Sequence, residues 1–509
     1  MREVCGELWL SDQLRNCTAT SYGASGPCLA HHPNRGEIIG ARAAGGHSLS
    51  LRECEIDADL VRLLTAVAFR PEGNSRFDFK GATFTTKVDF NGAVFPGEVD
   101  FRNSVFMSET QLYNVTFSEK ADFAGAVFMA DVYCYGTTFA ASANFNRVKY
   151  QAAANFSGTA FSANVNFHDA EFSGEVAFDG VNFVGDARFN RALFEYGASF
   201  QKATFGATAA FNQTQFNADT NFRGTSFAGG AVFDVGSDST GRVLLRRVTF
   251  GRRLHLNEHS RVSLDDVTVS SPLSITSNAP TNGLLQITGS HLSAPVLVDP
   301  LVQMTNTRFD RTVGLDQLRF RGDAGWPEVE RRFRSWPPQL TRRQVIADEF
   351  DETTNRPSDD RLEIQYRQLR SSLEASKAHA AANDFYWGEL DARRRRQALF
   401  GTERVLLTLY RTLLGYGVRA SRPFAWWLAT VATLTVLFNS RSDELLSPNV
   451  PNHHWGRSLA FVLQNSTNLL RSLDTGLEWD GTLLVLFGRM VTVTLIAGTF
   501  LALRSRVSR

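Results

Sequence analysis

The sequence predicts an all-β solenoid, a four-sided β-helix, followed by an α-helical linker and a C-terminal two-helix transmembrane hairpin. Three observations carry this. Phenylalanine recurs on an 11-residue clock from Phe79 to Phe233, with a second series offset by five from Phe84 to Phe227. The residue two before nearly every Phe is small, Ala, Ser, Thr or Val. Two apolar stretches flanked by arginines lie within the last ninety residues. With 509 residues the chain holds several domains. A net charge of +1 gives no global preference for nucleic acid or acidic substrates, and five cysteines do not make a disulfide framework.

The first segment, 1–35, has no apolar core of signal-peptide length between Met1 and Gln13. It contains Cys5, Cys17, Cys28 and His31, with His32 adjacent. Cys28-x-x-His31 has the bite of a zinc half-site, although the Cys5 and Cys17 spacing is looser than in common zinc modules. Three thiolates and one imidazole would close a structural zinc site; the alternative is unrelated thiols in a flexible arm. Residues 36–76 supply an N-terminal cap. Within them, 47–70 read as a strand and a short amphipathic helix that shields the hydrophobic end of the first coil, as a solenoid requires.

The array itself occupies 77–236. Of its 29 clock positions 26 are Phe; Leu112, Cys134 and Tyr150 fill the rest. A small and a large residue two apart face the same way only on extended backbone. An 11-residue period also suits a right-handed helical coil. At about 100° per residue, however, the two Phe series would lie about 140° apart, and Gly, Asn, Asp, Ser and Thr are too dense for a long helix. Each side of a square coil is therefore a five- or six-residue unit with Phe inside, and two periods make 22 residues per coil. Gly81, Gly92, Gly125, Gly136, Gly158, Gly180 and Gly224 fall two after a Phe, where a corner needs a permissive backbone. About seven coils at ~4.8 Å give a rod of about 34 Å, and each buried Phe stabilises it by about 1.5–3 kcal/mol.

Stretches such as Ala154-Asn155-Phe156-Ser157-Gly158 and Ala121-Asp122-Phe123-Ala124-Gly125 resemble the A-(D/N)-F-x-x unit of the pentapeptide-repeat family. The alternating 5/6 spacing is similar to that of a subgroup of bacterial membrane-associated members. The resemblance covers 77–236 and implies a right-handed quadrilateral β-helix. It says little of function, since one fold hosts many activities.

Residues 237–325 continue as degenerate coils with aliphatic cores. Val248-Thr249-Phe250, Leu254-His255-Leu256, Val262-Ser263-Leu264, Val267-Thr268-Val269, Leu273-Ser274-Ile275 and Val296-Leu297-Val298 are period-2 triplets between polar turns. His255, His259 and His291 fit no ligand spacing and read as solvated strand or turn histidines. Trp326-Pro327 and Trp336-Pro337-Pro338 mark the end of the rod, and 326–400 form a linker and helical hairpin. Leu362, Tyr366, Leu369 and Leu373 share one helical face. Tyr366 to Arg370 and Asn383 to Leu390 resemble the segment joining repeats to membrane in the same subgroup. Asp384 and Glu389 read as surface partners of Arg393–Arg396 rather than catalytic carboxylates.

The membrane module, 401–509, has spans at about 420–438 and 482–503, with Leu413 to Ala420 available to lengthen the first. Trp426 and Trp427 suit headgroup level. Basic flanks at Arg393–Arg422 and Arg504–Arg509, against a loop with three Arg and five Asp/Glu, place β-helix and C-terminus in the cytoplasm of a multi-pass cell-membrane protein. Between the spans, Leu459 to Leu473 reads as an amphipathic helix, and Arg489 inside the second span would face a bundle interior, water or a partner.

No phosphate loop, dinucleotide fingerprint, nucleophile elbow or H-E-x-x-H occurs, so the reading is non-enzymatic, with no cofactor beyond the zinc. The expectation is a membrane-anchored scaffold whose partners are the lipid bilayer and an unidentified protein. One alternative is a two-span ion-channel-like pore subunit with the β-helix as sensor, homo-oligomeric through its hairpin. No T-V-G-Y-G-like filter follows the intervening helix, and Gly415-Tyr416-Gly417 precedes the first span. A further alternative, implied by some soluble relatives, is a DNA-mimicking gyrase-binding protein. With 16 acids against 10 Lys/Arg in 77–236, the rod is weakly anionic for that role, and direct binding of nucleic acid is not indicated.

Overall fold

The fold is seen in a computed structural model of the chain. It describes residues 30, 32, 34–45, 47–68, 76–257, 259, 261–277, 280, 286–305, 307–322, 325–329, 343–350, 357–441, 455–467 and 479–507. The chain divides into two compact units, Met1–Gly325 and Trp326–Arg509.

The first unit is a parallel β-solenoid. Its strands, most of them two residues long, line up as four parallel sheets of 13, 8, 10 and 10 strands. In chain order the first full coil runs through Phe77–Asp78, Thr83–Phe84, Val88–Asp89 and Val94–Phe95, which we call walls 1 to 4. Each strand pairs with its equivalent two clock periods on: Phe77 with Val99, Thr83 with Val105, Val88 with Thr110, Phe95 with Phe117. The clock in the sequence is therefore the hydrogen-bonding register of the sheets.

The rings point inward and are buried. They form four columns, one per wall, with rings of successive coils face to face at centroid separations of 4.4 to 5.3 Å. These separations match the spacing of neighbouring strands. Between columns the rings meet edge to face, as Phe167 does with Phe156 at 82° and Phe178 at 78°. Stacking along a column and T-contacts between columns are the two arrangements the ring quadrupole favours. The small residues two before each Phe are buried beside them. Three of the threonines at this position do more than fit: Thr159, Thr214 and Thr225 donate to the carbonyls of Cys134, Phe189 and Phe200 in the coil below, at 2.7–2.8 Å.

The three non-Phe clock positions are spatial neighbours. Leu112 and Cys134 follow one another in the wall 3 column, and Tyr150 stacks between Phe128 and Phe172 at 5.1 and 5.0 Å in wall 2. Burial, with the Cys134 thiol nearby, pushes the Tyr150 hydroxyl well above its ordinary range. The smaller Cys134 thus offsets the extra volume of a Tyr ring.

The alternating 5/6 spacing has a backbone cause. After each wall 1 and wall 3 clock residue from Phe79 to Phe222 the chain turns tightly, and the residue two on has positive φ. All seven glycines expected there adopt it, from 64° at Gly180 to 73° at Gly224. So do Asn103, Asn114, Arg147, Asp169, Arg191, Lys202 and Gln213. After the Phe of walls 2 and 4 the chain makes an open bend that takes one more residue.

Before the array, Leu49–Ser50 and Glu55–Ile56 pair with Phe77–Asp78 and Thr83–Phe84, extending walls 1 and 2. Helices α1 (Arg35–Ala44) and α2 (Ala58–Ala68) complete this end. Leu60, Val61 and Leu64 of α2 are buried, and Thr65 Oγ1 donates to the Asp89 carbonyl of wall 3. The strand and amphipathic helix expected over 47–70 are both present.

Beyond Phe233 the coils persist but the clock slips. Ala231 pairs with Leu254, one position beyond the register of the array; Val243 pairs with Val262, three positions short of it; Leu273 pairs with Val296, again one beyond. Wall 2 ends at Gln215–Phe216, followed by a bridge between Thr214 and Val235; among the described residues the later coils have strands in the other three walls. A core of mixed aliphatic side chains does not lock successive coils ring on ring, so coil length is free to vary.

The second unit is helical. A short antiparallel pair, Glu328–Val329 with Arg343–Gln344, precedes α3 (Asp359–Ala375) and α4 (His379–Arg396). Then come α5 (Thr402–Leu414), α6 (Ser421–Ser440), α7 (Trp455–Thr467) and α8 (Trp479–Val507). Leu413 to Ala420 does not lengthen α6. Gly415, Tyr416 and Gly417 all have positive φ, between 55° and 71°, and this kink separates α5 from α6. Among the described residues one helix is long and apolar enough to cross a membrane, Trp479–Arg504, with 26 residues or about 39 Å. Helix α6 coincides with the first expected span but is less apolar. Thr430, Thr433, Thr435 and Asn439 interrupt it, and the threonine hydroxyls bond back to helix carbonyls.

Candidate functional site

The sequence-predicted metal ligands Cys5, Cys17, Cys28 and His31 lie outside the described residues. Among the described residues no group of three or more His, Cys, Asp or Glu is placed to hold a metal ion. Cys54 and Cys134 are buried in the solenoid outside any disulfide, and burial raises the Cys134 thiol far above the range in which it ionises. His255 Nδ1 lies 2.8 Å from Thr276 Oγ1 along wall 1, and burial lowers its pKa. His291 is exposed on wall 4.

His259 lines a cleft of about 540 Å³ with Asp169, Arg191, Gln213, Asp234 and Asn257, formed where wall 2 loses its strands. Its polar groups largely satisfy one another. Arg191 pairs with Asp169 at 2.9 Å and Asn257 Nδ2 donates to Asp234 Oδ1 at 2.6 Å. This is a polar, hydrogen-bonded groove on the solenoid.

The densest concentration of charge is a buried network in the second unit. Arg343 pairs with Glu349 at 2.9 Å, and the Tyr366 hydroxyl donates to the same carboxylate. Arg395 reaches Glu349 at 3.4 Å, Asp391 at 3.1 Å and Asp359 at 3.1 Å. Asp391 also receives Arg394 and Arg411 at 3.3 and 3.2 Å. Burial alone would raise both carboxyls. Their partners outweigh it: the Arg343 charge, the hydrogen bond from the Tyr366 hydroxyl and the Arg395 charge hold Glu349 below its ordinary pKa, and the charges of Arg411, Arg395 and Arg394 do so for Asp391.

Asp384 and Glu389 are not surface partners of Arg393–Arg396. Glu389 is buried and pairs with Arg367 and Arg370 of α3 at 3.0 and 2.8 Å. Asp384 binds Arg419 at 2.7 Å and the Gln344 amide at 3.0 Å. The four arginines are used elsewhere, Arg393 on Glu403 and Arg396 on Asp360 and Glu363. Each of these carboxylates of the second unit has a cation against it, the pattern of a structural clamp.

That clamp supports the kink. Tyr416 is buried, edge-on to Trp387 at 4.8 Å and Tyr410 at 5.6 Å, and burial pushes its hydroxyl up to about 12. Arg422 lies over the Trp387 ring at 4.9 Å and donates to the Arg411 carbonyl at 2.6 Å. Helices α6, α7 and α8 share a core of Val431, Leu434, Phe438, Val462 and Val485. Arg489 is buried in this unit. Outward, α8 presents Phe487, Met490, Ile496 and Phe500 to solvent, with Met490 72% exposed, a load of apolar surface that water does not favour.

Comparison with known proteins fits this geometry. A family model described as pentapeptide repeats (9 copies) matches residues 75–115. The chain therefore carries pentapeptide repeats, and they fall in the first coils of the solenoid. No curated protein and no solved structure matches the chain.

Proposed function

We propose that this protein is a non-enzymatic, membrane-anchored scaffold whose pentapeptide-repeat β-helix offers flat walls to a protein partner from the cytoplasmic side. The observation that carries the reading is the division of labour between the two units. In the first, the repeat positions are taken up by core rings, leaving the outward residues of each short strand to vary. In the second, α8 is long enough to cross the roughly 30 Å hydrocarbon layer and keeps much of its apolar surface outward. Helix α6 would cross beside it, with its tryptophans near the headgroups. The basic runs before α6 and after α8 favour a cytoplasmic location for both ends.

Fractionation tests the anchoring: the protein should remain in a carbonate-washed membrane pellet, and recovery in the soluble fraction would refute it. A pore subunit is a second reading, favoured by the packing of α7 against both neighbours through Val462. Single-channel recording of the reconstituted protein decides it, and silence under voltage and tension would remove it. The N-terminal zinc site belongs to the proposal too, supported by the Cys28-x-x-His31 spacing. Elemental analysis should find one zinc per chain, lost on Cys28→Ser.

A further inference from the structure

We infer that α5, with Leu399 and Phe400 ahead of it, is a second membrane-contacting element that lies in the plane of the bilayer surface and takes lipid as its ligand. The inference rests on the anchoring proposed above and adds a contact that two spans do not require.

Helix α5 has two faces with different occupants. The inner face is occupied by protein: Leu407 and Tyr410 pack on Trp387, Tyr416 and Val418, and Arg411 pairs with Asp391. The outer face carries Val405, Leu406, Leu409 and Leu413, all exposed, with Leu406 at 65%. Phe400, just before the helix, is 95% exposed, and Leu399 beside it is exposed as well. Six large apolar side chains between Leu399 and Leu413 thus stand open on a folded unit. The polar side chains between them need little from water. Thr408 and Thr412 bond back to the carbonyls of Arg404 and Thr408, and Arg404 donates to the Gln397 carbonyl.

The depth identifies the occupant. The end of α5 touches α8 at Gly498, where an added Cβ would lie 2.5 Å from Leu414 Cδ2. Gly498 is six residues, or about 9 Å, inside the apolar stretch that ends at Arg504. In-plane amphipathic helices bury their apolar face about 5–10 Å into the headgroup and acyl boundary. Trp426, whose indole donates to the Thr412 carbonyl at 2.9 Å, stands at the same level. The left-handed kink at Gly415–Gly417 then turns the chain from α5 into α6. The outer face of α5 is thus continuous with the lipid-facing surface proposed for α8.

Spin labels at single introduced cysteines test this in the full-length chain. Cys5, Cys17 and Cys28, the thiolates of the proposed zinc site, are replaced by Ser in a background first shown to keep the parent's far-UV circular dichroism and recovery in the membrane pellet, and buried Cys54 and Cys134 are left in place. Labels go at Phe400→Cys, Leu406→Cys, Met490→Cys and, on the exposed solenoid surface, Tyr196→Cys. The protein is reconstituted in phosphatidylethanolamine–phosphatidylglycerol vesicles, and collision with oxygen is compared with collision with a water-soluble nickel chelate. The labels at 400 and 406 should report about 5–10 Å below the phosphates, the label at 490 the hydrocarbon centre, and the label at 196 water. Labels at 400 and 406 that match the one at 196, while 490 sits in hydrocarbon, would overturn the inference and leave the anchoring intact. Shielding of 400 and 406 from both reagents would overturn it in favour of a protein partner. An aqueous label at 490 would overturn the anchoring itself.

Discussion

The corner that follows each wall 1 and wall 3 ring makes a reciprocal prediction. Gly180 and Lys202 occupy the same corner in neighbouring coils, with φ of 64° and 56°. Left-handed backbone costs an L-residue about 1–2 kcal/mol, and glycine returns about 0.5–1 kcal/mol of that through its greater freedom in the unfolded chain. Lys202→Gly should therefore stabilise the coil by about 0.5–1 kcal/mol. Gly180→Ala should destabilise it by a similar amount. No heavy atom lies within 4 Å of the added Cβ at Gly180, so the whole effect is conformational. The sites act on separate turns, and the double variant should return close to the parent. Native-state hydrogen exchange of the full chain reads this locally. The amides of Val181 and Ala203 close their turns onto Phe178 and Phe200 at 3.3 and 3.1 Å, and their exchange should move about two- to five-fold in opposite directions. Two shifts of the same sign would refute the claim that backbone handedness governs these corners.

Other expectations follow from the same geometry. Phe167 stacks on Phe145 and Phe189 at 4.7 and 4.9 Å and is fully buried, so Phe167→Ala should cost about 3–5 kcal/mol in urea unfolding followed by far-UV circular dichroism. Thr159→Val keeps shape but removes the donor to the Cys134 carbonyl, and should cost about 1–3 kcal/mol in the same assay. Glu349 and Asp391 have lowered folded-state pKa values. Their contribution is therefore complete above the ordinary values of 4.5 and 3.8 and is lost as pH falls through the lower folded values. The near-ultraviolet signal of the helical unit in micelles should titrate away on that acid side and hold steady from there to neutrality. Asp391→Asn leaves Arg394, Arg395 and Arg411 facing no charge at that position, and should cost about 3–5 kcal/mol at neutral pH.

The solenoid was legible because its tertiary contacts repeat at fixed sequence separation. A ring at 145 meets rings at 123 and 167, so a one-dimensional clock encodes a three-dimensional column. The glycine corners were legible for the same reason. That Arg191 or Lys202 would take the same left-handed turn was not, because those residue types carry no local signal for it. The drift beyond Phe233 was visible only as loosening, since Val and Leu fit several coil lengths. The helical unit was legible as helices but not as a network. Arg367 pairs with Glu389 and Asp391 with Arg411 across different helices, where i, i+4 reasoning does not reach. Helix α5 was read as flank and extension of a span; Gly415, whose left-handed backbone ends it, carries a helix-stop signal, but nothing local announces that Tyr416 also adopts positive φ and turns the chain.

Because every wall of the array pairs two clock periods on, coil excision has an arithmetic of its own. Removing one whole coil between equivalent corners would restore all four walls and shorten the cylinder by one strand spacing, about 4.8 Å. Removing half a coil would splice wall 1 onto wall 3 and swing everything downstream through half a revolution. Evolution could therefore adjust the reach of such a cylinder in whole steps without retuning its ends, which makes this part of the chain a ruler whose graduations are written in phenylalanine.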